Sequence, residues 1–162
     1  VSKAFTSEET PDPVPPAREL PTLRPGELRL VTPEGHAALR AELERLRAAP
    51  GAPGSDDERA RQALHLERLL AILTVLGPER VPEGEVGFGT WVELEDEEGA
   101  RSTWRLVGPD EADARRGRVS AHAPLGQALL GRSAGETVEV VRPGGPREYT
   151  IVAVRRELDD GG

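Results

Sequence analysis

Leucine recurs at three- and four-residue spacing on both sides of a single break, AAPGAPGS, and after Pro82 that rhythm gives way to alternating β-branched runs. A helical period followed by a strand period restricts the chain to a helical segment first and a sheet second, an α+β arrangement. Thr32 suits a helix cap and Pro33 the first helical position, and Leu39, Leu43 and Leu46 fall on one face. The predicted helix ends near Ala49, because Pro50 disfavours helical geometry in the residue before it and Gly51 follows. A second helix is predicted from Ser55, which forms an S-x-x-E capping box with Glu58. Its apolar stripe is Leu66, Leu69, Leu70, Leu73 and Leu76, and Gly77 with Pro78 stops it. Two leucine-striped helices joined by a short loop hide their stripes by folding back on each other, which predicts a short antiparallel hairpin over residues 28–80. Such a hairpin is marginal alone and needs a neighbour.

The neighbour is read from residues 81–158. The stretch TWVELEDEEGARSTWRLVG gives two strands with a turn around Glu97 to Gly99, and ETVEVV and REYTIVAV add two more. One helical segment, PLGQALLG, interrupts them and carries Leu125, Leu129 and Leu130, a side fit to cover the apolar face of a small antiparallel sheet. Residues 1–27 are rich in proline and acid without apolar periodicity and read as a flexible tail, where the Pro13 and Pro16 pair is a consequence of composition. Residues 159–162 read as a flexible end.

A formal charge of -8 argues against an electrostatic grip on bare nucleic acid and points to a protein partner, with any nucleic-acid contact indirect. With no cysteine, disulfides, thiolate zinc sites and cysteine nucleophiles are excluded. His36, His65 and His122 do not stand at zinc-binding spacings, two of them read as surface residues, and no intrinsic metal or cofactor is expected. Apolar runs are too short for a bilayer and the opening VSKAFTSEET lacks the apolar core of a secretory signal, so the expected setting is the cytoplasm. GRSAG, Gly131 to Gly135, matches the serine-hydrolase elbow, but that elbow needs a strand before it and a helix after it, and here the order is reversed. ARRGR, Ala114 to Arg118, and Arg155 with Arg156 are the most basic material, read as a solvated turn balanced by Asp110, Glu111 and Asp113.

The run RLVGPDEADARRGRVSAHAPLGQALLGRSAGETVEV resembles the carboxy-terminal domain of the GreA/GreB transcript cleavage factors of bacterial RNA polymerase. The resemblance rests on VG-x-D-E-A-D from Val107 to Asp113, on Val119 and Ser120, on P-L-G-x-A-L-L-G from Pro124 to Gly131, and on G-E-x-V from Gly135 to Val138. The opening SKAFT and the TPEG at Thr32 to Gly35 are similar to the starts of such chains. It implies an amino-terminal coiled coil and an FKBP-like sheet domain that docks on the rim of the polymerase secondary channel, with His122, Ala123, Pro124 and Leu125 as the docking loop. It also implies that acids at the coiled-coil tip share a magnesium ion with the polymerase, whose hard oxygen ligands and retained waters suit RNA hydrolysis.

Asp56, Asp57 and Glu58 stand where those tip acids are expected, but as adjacent acids after a capping serine, unlike the spaced acids of D-L-S-E-N-A-E-Y in the family. Acids in a first helical turn also stabilise the helix dipole, by about 0.3–1 kcal/mol each, without any metal. The first helix, about 16 residues, spans only ~24 Å, shorter than the family's cleavage factors carry, as in the Gre-like protein Rnk, which binds polymerase without supporting cleavage. The expectation is therefore a monomeric, non-enzymatic regulator at the secondary channel, with no catalytic residue of its own. A true cleavage factor is the first alternative. Prolyl isomerase activity is the second, set against the few aromatics available for a cleft, Phe88, Trp91, Trp104 and Tyr149.

Overall fold

Thr32 and Pro33 open the first helix as their chemistry dictates. In the computed structural model, which describes residues 20–48 and 56–157, the Thr32 hydroxyl accepts the Gly35 N–H at 3.1 Å and α1 runs Pro33–Ala48. This cap satisfies one of the amides left without a partner at a helix start. Leu43 is buried, with Leu39 and Leu46 half-buried beside it. The second helix, α2, is Asp56–Ile72, with Leu66 and Leu69 buried, and an Arg47–Glu67 ion pair links it to α1. Ser55, its predicted capping box, Pro50 and Gly51 lie outside the described residues, as do the Pro13 and Pro16 pair and the predicted end 159–162. Of the predicted tail only 20–27 is described, and it contains a turn in which Glu27 accepts the Arg24 N–H.

The predicted stripe of α2 runs too far. The chain leaves the helix at Ile72, and Leu73–Val75 forms strand β2, parallel to β1, Arg29–Val31, in the register Arg29 with Leu73 and Val31 with Val75. The Leu76 N–H closes the pairing on the Val31 carbonyl at 2.9 Å, and Leu76 itself is 41% exposed. Thr74 and Val75 are β-branched and lose rotamer freedom in a helix, so an available strand partner overrides the leucine spacing. Both strands have only three residues, too few for a period of two to register in sequence.

The second sheet contains β3, Trp91–Asp96; β4, Arg101–Val107; β5, Arg118–Ser120; β6, Thr137–Arg142; and β7, Gly145–Arg155, in the order β5-β4-β3-β7-β6. The turn between β3 and β4 falls as expected: Asp96 accepts the N–H groups of Glu98 and Ala100, and Gly99 takes φ +83. Three of the pairings are antiparallel, but β5 runs parallel to β4, which corrects the expectation of a wholly antiparallel sheet. The loop after Val107 carries the chain back so that β5 enters beside β4 in the same direction.

Val92, Leu94, Leu106, Val138, Val140 and Ile151 line one face, and Leu129 of α3, Pro124–Leu129, closes over them. Leu125 packs at the edge of this core, whereas Leu130 is 39% exposed and contributes no cover. Residues four apart share a helix face and consecutive ones do not, so of these three leucines those at 125 and 129 point inward. Among the described residues no helix is long and apolar enough to cross a membrane.

Candidate functional site

The helices and the sheet meet at a joint made by three residues near the start of α1 and three residues of the sheet unit. Arg29 presents two nitrogens to Asp110: Nε donates to Oδ2 at 2.6 Å and Nη2 to Oδ1 at 2.8 Å. This planar fork fixes direction as well as distance. The bond from Arg29 to Asp110, then the carboxylate's charge, hold the guanidinium above its ordinary pKa against the opposing effect of partial burial.

Beside it, one oxygen of Glu111 accepts two backbone N–H groups, Thr32 at 2.7 Å and Gly108 at 3.0 Å, and the other accepts the Thr32 hydroxyl. Glu111 thus lies at the amino end of α1, where the helix dipole favours an anion. Space here is tight. A Cβ on Gly35 would lie 2.0 Å from Glu111 Oε1, and one on Gly108 would lie 1.9 Å from the Leu30 carbonyl oxygen. Glycine at both positions is what lets helix and sheet approach this closely.

The third contact is Arg105, only 5% exposed, whose Nε donates to the Gly89 carbonyl at 3.1 Å and whose Nη2 reaches Glu34 at 3.0 Å. Its guanidinium also lies over the Trp91 ring, 5.3 Å from the centroid. At Glu34 partial burial acts to raise the carboxyl pKa and is outweighed by hydrogen bonds from its own N–H and from Arg105, which hold it below the usual range.

The residues singled out from sequence lie elsewhere. Asp56 begins α2, and Asp57 and Glu58 are exposed in its first turn, where the Asp57 carbonyl accepts Arg61 Nε at 3.3 Å. Among the described residues, no three His, Cys, Asp or Glu side chains stand together so as to hold a metal. Ser120 shapes the loop into α3, accepting the Ala123 N–H on its carbonyl and the His122 N–H on its hydroxyl. His122 and Pro124 point outward, Ala123 is the helix cap, and Leu125 belongs to the core, so the four predicted docking residues divide into two exposed and two half-buried.

His36 and His65 are half-buried on the two helices. Ala114–Arg116 forms a short 3-10 turn capped by Asp113, with Gly117 at φ +70, and GRSAG is a turn between α3 and β6. The four aromatics do not wall a single cleft: Phe88 is buried, Trp104 and Tyr149 pack on the core, and Trp91 lies on the opposite face with Arg105. The joint itself went unread in the sequence. Asp110 and Glu111 read in sequence as charge balance for nearby arginines, whereas their partners across the joint stand 81 and 79 residues away.

A short helical unit bonded to a five-stranded sheet through TPEG and VG-x-D-E-A-D defines the class, and known proteins supply the family. The model described as transcription elongation factor, GreA/GreB, C-term, matches residues 81–156. GreB of Pseudomonas aeruginosa is 34% identical over 149 residues, covering 77% of this chain and 89% of that protein. The chain belongs to the GreA/GreB family of transcription elongation factors. GreA of Neisseria meningitidis is 42% identical over 92 residues, covering 56% of this chain, and the chain spans 58% of that relative's length. The GreA/GreB factor of Nitrosomonas europaea, a solved structure, is 29% identical with a TM-score of 0.42, covering 80% of this chain and 98% of that one.

Proposed function

We propose that this chain is a cytoplasmic, monomeric regulator that binds bacterial RNA polymerase at the rim of the secondary channel, occludes the channel mouth and has no catalytic activity of its own. In this reading the sheet with α3 is the FKBP-like docking module, His122 to Leu125 form its contact loop, and α1 and α2 form a short antiparallel hairpin that enters the pore.

The observation that carries the reading is the length of α1, 16 residues, which spans ~24 Å at 1.5 Å per residue. The match to the Pseudomonas GreB supports it: 77% of 162 residues is about 125, so about two dozen of the 149 aligned positions have no counterpart in this chain. Each residue that a helical arm lacks shortens it by ~1.5 Å. Direct coordination acts over only ~2.0–2.1 Å for magnesium, so a withdrawn carboxylate contributes no ligand to the polymerase ion.

The purified chain at saturating concentration is expected to displace a GreA- or GreB-type cleavage factor from polymerase, read by fluorescence anisotropy of the labelled factor. No displacement sinks the channel assignment. A cleavage factor proper is the second reading, favoured by the exposure of Asp57 and Glu58. It predicts RNA shortening in stalled complexes that disappears in Asp56→Ala/Asp57→Ala, and an absence of shortening removes it.

A further inference from the structure

We propose that Asp110 and Glu111 are positioning residues: they fix the direction in which the helical unit leaves the sheet, so that the two travel as one body. Three observations meet here. The fork between Arg29 and Asp110 constrains rotation as well as separation. Glu111 ties its own loop, through the Gly108 N–H, and the start of α1, through both donors of Thr32, to a single carboxylate. Gly108 leaves no slack, because a methyl group there would strike the Leu30 backbone, and a methyl group on Gly35 would displace the Glu111 carboxylate itself.

The chemistry at Glu111 is specific enough to separate geometry from charge. Its Oε2 takes both backbone N–H groups, while Oε1 takes the hydroxyl. Glutamine reproduces that pattern: the amide oxygen accepts the two N–H groups, and the amide nitrogen donates to the hydroxyl, whose proton turns away. Alanine removes the acceptors and leaves Thr32 N–H, in a residue with no exposed surface, without a partner. Gly35→Ala attacks the same carboxylate from the helix side, although alanine is the better helix former.

The full chain has no cysteine, so Arg45→Cys and Glu98→Cys, on exposed positions of α1 and of the β3–β4 turn, accept two nitroxide labels and no others. Double electron–electron resonance then reads the distance between the units without any partner present. The labelled parent is expected to give one narrow distribution. Glu111→Ala and Gly35→Ala broaden it, and Glu111→Gln restores the parental width. Helical content by circular dichroism checks that both units stay folded. If Glu111→Ala does not fold, Gly35→Ala carries the test, since alanine there favours α1 itself. Parental widths in the alanine variants overturn the proposal, as does a Glu111→Gln distribution as broad as that of alanine.

The functional consequence rests on the channel reading above. In Gly35→Ala the sheet still docks but the misdirected hairpin no longer adds to it, so direct binding to polymerase and displacement of a cleavage factor are expected to weaken together by about tenfold, the equivalent of ~1.4 kcal/mol. A parent that displaces nothing refutes the channel reading and leaves the resonance result, and with it the joint, standing.

Discussion

Gly108 shows how one missing carbon sets the packing of two units. A Cβ there would meet the backbone carbonyl of Leu30, which cannot swing aside as the end of a side chain can. Gly108→Ala is therefore expected to cost about 2 kcal/mol or more, the range of overpacked sites, read as a lower urea midpoint. The charges beside it give the joint a pH dependence. Glu34 is held below its ordinary pKa when folded, so the folded state takes up its proton less readily than the unfolded chain. Its contribution is complete above the ordinary carboxylate pKa and is lost as pH falls through the lowered value. Glu34→Gln should therefore lower stability slightly at neutral pH, a small loss because the side chain is 61% exposed, and coincide with the parent at acid pH, which flattens the fall between them. Thr32 and Pro33 were legible as a helix start because capping is local. Glu111, the residue that binds Thr32, was not, because its partner lies 79 residues away and no periodicity records such a pair.

Elements were legible where length let a period declare itself. The strands β3, β4, β6 and β7 and the helix α1 fall where alternation and leucine spacing put them, since each has at least six residues. β1, β2 and β5 have three apiece, and only Val119 and Ser120 of β5 carry a signal, through the family motif. The same limit explains the overlong stripe of α2: leucine at three-residue spacing suits a helix, but β-branched Thr74 and Val75 pair with β1 once it is present. Helix α3 offers a direct test of facing. Leu129 has no exposed surface and Leu130 is 39% exposed, although sequence put both on the covering side. Leu129→Ala is expected to lose about 2–5 kcal/mol by denaturant unfolding. Leu130→Ala should stay within about 0.5 kcal/mol, as for surface substitutions, and an equal loss in both would refute the assigned face.

At the scale of the whole molecule, reach and direction are separate properties carried by separate residues. Reach depends on the number of residues in α1 and α2, which sequence supplied for α1; direction depends on contacts across the joint, which it did not. The acids at the start of α2 then take the role that their surroundings support. Asp57 and Glu58 are exposed, lie in the first helical turn, and belong to no cluster of ligands among the described residues. Under the channel reading they stabilise the amino end of α2, by about 0.3–1 kcal/mol each, and take no part in displacement. Asp57→Ala/Glu58→Ala should therefore lower the thermal midpoint slightly, by the loss of two small dipole contributions that added salt screens. Its competition curve against a cleavage factor should overlay that of the parent within about twofold, a difference of ~0.4 kcal/mol. A loss of competition well beyond that, with the helices intact by circular dichroism, would assign these carboxylates a contact inside the channel and show that the arms reach farther than their residue count implies.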